Sequence, residues 1–67
     1  MKYYLFKQCR YGKKEFYYIG NRDPETNECL TTERTKHAAG FSTARSAYDY
    51  GGLNKMFWWK VGKRLSI

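Results

Sequence analysis

The sequence predicts a single small α+β domain spanning 1–67, a small antiparallel sheet in β-β-β-α-β order with one short helix packed on one face. Three observations lead there. Aromatic, β-favouring runs stand near both ends of the chain, at Tyr3–Cys9 and at Met56–Val61. One stretch between them, 41–52, has helical spacing instead of alternation. The chain is also too short for a second core, since a domain of this size buries only about 60% of the surface its unfolded form exposes. Aromatic rings fill so small a core efficiently, and 13 of the 67 residues are Phe, Tyr or Trp. Much of that aromatic content therefore needs no functional explanation.

Taken in order, Tyr3–Cys9 reads as a first strand and Glu15–Ile19 as its return. Arg10-Tyr11-Gly12-Lys13-Lys14 forms the turn between them, centred on Gly12. The stretch 21–27 holds Asn, Asp and Pro, which are loop and turn residues. Cys29–Thr32 follows as a short third strand, with β-branched threonines at its end. Residues 35–40 connect to the helix, and Ala38 and Ala39 are small enough to pass beneath it. Ser42 predicts the N-cap, because its hydroxyl can accept from a backbone N–H one turn on. Phe41 stands ready to fold back on the first turn as a hydrophobic staple, and Ala44, Ala47 and Tyr48 make one apolar face. Gly51 predicts the end of the helix, with Gly52 freeing the next turn. Met56–Val61 is then the last strand, and no linker or internal repeat interrupts the chain.

The strands depart from the alternation expected when a helix covers one face and water the other. Tyr3 and Leu5 oppose Tyr4 and Phe6, Phe16 and Tyr18 oppose Tyr17 and Ile19, and Phe57, Trp59 and Val61 oppose Met56 and Trp58. One helix of about two turns cannot cover both faces. A second cover is required: a partner protein, a second copy in a homodimer, nucleic acid, or the 20–40 loop.

Charge is segregated along the chain. The net charge is +7, carried as +5 in residues 1–14 and +4 in 55–67, with −2 between them. If the terminal strands are neighbours, their cations merge into one basic surface suited to an acidic partner. A basic, aromatic sheet face is one way to hold single-stranded nucleic acid, with bases stacked on rings and phosphates meeting cations. The candidate rings are Tyr4, Phe6, Tyr17, Trp58 and Trp59, and the candidate cations are Lys2, Lys7, Lys13, Lys14, Lys60, Lys63 and Arg64. The function so predicted is a non-catalytic module contacting single-stranded nucleic acid or a nucleoprotein. Trp, Tyr and Arg equally anchor protein interfaces, so Trp58 and Trp59, with Arg10-Tyr11, predict a protein partner as the alternative.

Other classes find little support. Cys9, Cys29 and His37 lack metal-ligand spacing and a fourth ligand, and no cofactor motif is present. A Cys9–Cys29 disulfide would help so small a domain, but nothing points to secretion, so reduced, intracellular thiols are the expectation. Met1–Phe6 does not read as a signal peptide, because Lys7 stops its apolar run, and no stretch approaches a membrane span. The lone His37 has no spaced nucleophile or acid, so no enzyme is predicted.

Two resemblances bear on function. Tyr3-Tyr4-Leu5 followed by Tyr17-Tyr18-Ile19-Gly20, with Arg34 and His37 beyond, resembles the two strands of the GIY-YIG nuclease family over about half the chain. The first Gly-Ile-Tyr element is absent, however, and no glutamate follows Glu33 to hold a metal, so the nuclease reading is not adopted. The step Ala38, Phe41, Ser42, Ala47 in a compact Tyr-rich chain resembles small bacteriophage accessory proteins. That resemblance implies a stoichiometric inhibitor of a host protein, in counter-defence or transcription control, acting in the host cytoplasm.

Overall fold

A computed structural model of the chain describes residues 1–8, 12 and 14–65. Its elements are β1 (Lys2–Gln8), β2 (Glu15–Arg22), β3 (Cys29–Thr32), a single 3₁₀ turn at Thr35–His37, α1 (Ala44–Leu53) and β4 (Lys60–Arg64). The strands form one sheet in the order β3-β2-β1-β4, with every neighbouring pair antiparallel. This is the predicted small α+β fold. The predicted turn at 10–14 lies mostly outside the described residues, as do Cys9 and Lys13.

The pleat sorts the aromatic residues as their alternation predicts. Leu5 and Tyr18 join Ala47 and Met56 in one buried cluster under the helix, with Tyr3, Phe41, Tyr50, Trp59 and Val61 packed against it. Tyr4, Phe6 and Tyr17 form a second cluster on the opposite face, closed by Ala38. The 33–40 segment of the predicted 20–40 loop thus covers the second face as a strap. Thr35 is buried there, and its hydroxyl donates to the Leu65 carbonyl at 2.6 Å.

The chain passes from one face to the other through a fork in the sheet. β1 and β2 pair only at Phe6–Tyr17, Lys7–Phe16 and Gln8–Glu15, and diverge beyond. Residues 39–41 fill the opening. The Ala39 N–H donates to the Tyr18 carbonyl at 2.9 Å, and Tyr3 and Phe41 exchange backbone hydrogen bonds of 2.9 and 2.8 Å. Ala38 lies against the strap-side cluster and Phe41 against the helix-side cluster, so three residues make the crossing. Small Ala38 and Ala39 therefore serve passage through the fork instead of beneath the helix. Phe41 pairs with β1 and sets its ring 5.3 Å from that of Tyr50, in place of the predicted staple.

The helix also departs from its predicted ends. Thr43 is the N-cap, its side chain accepting from the Ser46 N–H at 3.1 Å, and the helix runs on through Gly51 and Gly52 to Leu53. The Met56 N–H returns to the Gly51 carbonyl at 2.8 Å, and the Lys55 N–H to that of Gly52 at 3.3 Å. This is a Schellman termination, with Lys55 at φ 59° in the left-handed position that glycine normally takes. Gly51 stays inside the helix because a Cβ there would stand 3.2 Å from Leu5 Cδ2, so its absence lets the helix sit close on β1. Of the predicted face, Ala47 is buried but Ala44 and Tyr48 are exposed. The last strand is corrected too: residues 56–59 form a turn closed from the Trp59 N–H to the Met56 carbonyl at 3.1 Å, and β4 begins only at Lys60.

Candidate binding surface

The sheet does not present the aromatic platform predicted for nucleic acid. Tyr4, Phe6 and Tyr17 are only 1%, 5% and 7% exposed, with ring centroids 5.7–5.8 Å apart, and they form core beneath the strap. Stacking on these three rings is therefore corrected to a structural role, because no ring face is open to a base. Arg64 is likewise engaged within the fold. Its guanidinium lies 4.8 Å from the Phe6 ring centre and grips Glu15 through two hydrogen bonds of 3.2 and 2.9 Å. The Tyr17 hydroxyl donates to the same carboxylate at 2.7 Å. The Arg64 hydrogen bond holds the Glu15 carboxyl below its ordinary range, while burial, followed by the bond to Glu15, pushes the Tyr17 phenol up. Gly62 makes the arrangement fit, since a Cβ there would stand 2.6 Å from Phe6 Cε1.

β1 and β4 are neighbours, but the pleat divides their cations between the two faces. Lys2 opposite Arg64, and Lys60 opposite Phe6, stand on the strap side. On the helix side Lys63 lies 5.8 Å from the Tyr3 ring centre, and Lys7 lies 5.4 Å from that of Trp59. Lys14 forms an exposed ion pair with Glu33 at 3.6 Å. The expected single basic surface thus becomes a basic edge shared between two faces.

Four of the seven exposed large apolar groups among the described residues lie on α1 or in the turn that follows it. Trp58, Leu53, Tyr48 and Phe57 are 86%, 85%, 74% and 70% exposed. They rim two adjacent depressions that share Met56 and Trp59. The smaller, about 160 Å³, is lined by Tyr48 and Phe57 together with Leu5, Gly51, Gly52 and Val61. The larger, about 630 Å³, is edged by Leu53 and Trp58 together with Lys7, Arg22 and Lys55. Arg22 is a brace as well as a wall: its guanidinium donates to the Asn54 carbonyl at 2.5 Å and the Asn27 carbonyl at 3.2 Å. A cation at the carbonyl of Asn54, the C-cap of α1, complements the negative end of the helix dipole.

Of the predicted residues, Trp58, Trp59 and Lys7 meet here. Sequence reasoning missed Leu53, Phe57 and Lys55 as surface groups, and placed Tyr48 on the buried helix face. The legible signal was the Phe57-Trp58-Trp59 run, of which the turn exposes Phe57 and Trp58 and leaves Trp59 packed against the core. Among the described residues, no His, Cys, Asp and Glu side chains gather into a metal-binding group. Among the same residues, no helix is long and apolar enough to cross a membrane.

Fold and surface together define a small α+β sheet protein with an exposed aromatic knuckle. No family model, curated protein or solved structure matches the chain.

Proposed function

We propose that the chain is a non-catalytic binding module that docks on an acidic surface of a partner protein through the Trp58 knuckle. One observation carries this reading: four large apolar side chains stand exposed together at the end of α1, beside Lys7 and Lys55. Contiguous exposed apolar groups on so small a domain mark an interaction site, and Trp is favoured at the centre of protein interfaces. The flanking cations select an acidic partner over a second copy that also carries +7. The resemblance to phage accessory proteins supports a host protein as that partner, bound in the host cytoplasm.

A second reading, contact with single-stranded nucleic acid or a nucleoprotein, draws on the larger depression, where Trp58 and Trp59 lie between Lys7 and Lys55. Affinity capture from nuclease-treated host extract, with wild type and Trp58→Ala, tests the two together with oligonucleotide anisotropy across a salt series. The protein reading expects nuclease-resistant capture that Trp58→Ala abolishes. Stability should change by less than about 0.5 kcal/mol, as for other exposed positions. Capture unaffected by Trp58→Ala would overturn it. Tight oligonucleotide binding that falls steeply with salt would put the nucleic-acid reading in its place.

A further inference from the structure

Gly52 breaks a local rule with no return to the fold. Glycine inside a helix is less favourable than alanine, through backbone entropy and lost propensity. Gly51 has a packing reason, the close approach of Leu5. Gly52 has none: a Cβ there would meet nothing within 4 Å, and its φ is not in the left-handed region. Three residues on, Lys55 holds the left-handed conformation at φ 59° that glycine would adopt without strain. The glycine and the lysine thus stand in the reverse of the order that helix stability favours.

Both departures border the depressions at the end of α1. Gly52, itself exposed, lines the 160 Å³ pocket, and Lys55 edges the adjoining basic depression. Departures of this kind concentrate at functional sites, where another requirement overrides stability. An apolar cavity of about 150 Å³ is large enough to hold a benzene ring, so this pocket matches one Phe- or Leu-sized side chain. Its walls are apolar or aromatic, from Leu5, Tyr48, Met56, Phe57, Trp59 and Val61. The neighbouring depression shares Met56 and Trp59 and adds Lys7, Arg22 and Lys55 against the single acid Glu28.

We infer that the pocket beside Gly52 receives one large apolar side chain of an acidic protein segment, whose carboxylates lie along Lys7 and Lys55. Gly52 adds no side chain of its own to the pocket lining, and Lys55 supplies charge where a glycine would supply only a stop. The inference rests on the protein-docking reading above and names the chemistry of the partner.

The probe is a capped pentapeptide with a central Phe between Asp and Glu residues, titrated into ¹⁵N-labelled protein. Its controls carry Ala at the centre, or Lys in place of the acids. The expected result is shifts centred on the Gly52, Phe57 and Val61 amides, with binding about tenfold weaker for each control, as removal of one buried aromatic side chain or of the paired charges requires. Gly52→Ala should raise the melting temperature yet weaken the peptide. Gly52→Leu, still folded by circular dichroism, should abolish its binding. Absence of shifts with the Phe peptide, equal binding of the Ala control, or unchanged binding to Gly52→Leu would each overturn the inference. So would an oligonucleotide that shifts the same amides more tightly than the peptide does. If the peptide fails while Trp58-dependent capture of a protein persists, the pocket assignment falls and the docking reading stands; if both fail, the docking reading falls as well.

Discussion

The two faces of the sheet are both covered, by different chemistry. On one side a ten-residue helix lies over Leu5, Tyr18 and Met56, its own backbone hydrogen bonds already satisfied, so apolar contact is nearly all it must supply. On the other side an irregular strap crosses Tyr4, Phe6 and Tyr17. A segment without a repeating ladder must find partners for its polar groups one at a time. The strap face is accordingly closed at its margin by polar contacts: Thr35 to the Leu65 carbonyl, and the Tyr17–Glu15–Arg64 network over Phe6. The helix face is closed mainly by packing, and the candidate binding surface opens at the C-terminal end of α1; the strap face keeps a depression of its own, about 630 Å³, lined by Tyr17, Thr35, Lys36, Arg64 and Leu65. A regular element covers a core mainly by packing; an irregular one is held by hydrogen bonds made one at a time.

The sharpest way to break this comparison is to ask whether the strap face is core at all. Phe6→Ala should destabilise by about 3–5 kcal/mol, as for other buried aromatic truncations, enough to unfold much of a domain this small. Urea denaturation followed by circular dichroism reads the loss. A change below about 0.5 kcal/mol would mean that the ring is surface.

Alkali should act chiefly on the helix face. The Tyr18 hydroxyl lies 3.1 Å from that of Tyr50, and burial, followed by that hydrogen bond, pushes the Tyr18 phenol up to about 12. A raised acid keeps its stabilising, neutral form below the unfolded pKa near 10. That contribution, roughly 3 kcal/mol for a shift of this size, is lost as pH rises from about 10 through 12. Melting temperatures across this window should fall more for wild type than for Tyr18→Phe, which has no proton to lose; parallel curves would contradict the assignment.

Acid should act on the strap face, and more weakly. Glu15 is held below its ordinary value by Arg64, so its contribution is present above the unfolded pKa and lost as pH falls through the folded one. Glu15→Gln should cost about 1–2 kcal/mol at neutral pH, the range for a charge-assisted hydrogen bond in partial exposure. The difference between variant and wild type should narrow as the pH drops below about 4. A gap that stays constant into acid would show that Glu15 contributes through its shape and not its charge.

Much of the fold is legible in the chain itself. The pleat forces Tyr4 and Phe6 away from Tyr3 and Leu5 whatever else happens, so two buried faces, and a need for two covers, follow from β1 alone. Cys29–Thr32 was readable as a strand because its β-branched residues follow a dense run of turn residues. The candidate surface was only half legible. Trp58 and Trp59 announce themselves by size, but their exposure depends on residues 56–59 forming a turn, and a continuous aromatic run carries no local signal for that.

What the sequence by itself determined is therefore the number of strands, the single helix and the division of side chains between faces, because these depend on periodicities of two and of about four residues within one element. Only the tertiary structure decided which segment lies on which face, where the chain crosses between β1 and β2, and why the helix runs past Gly51 to stop at Leu53. Those outcomes depend on contacts between residues far apart in the chain: Leu5 against Gly51, Ala39 beside Tyr18, Phe41 paired with Tyr3. A glycine read locally ends a helix; a glycine pressed against a leucine of β1 lets the helix continue.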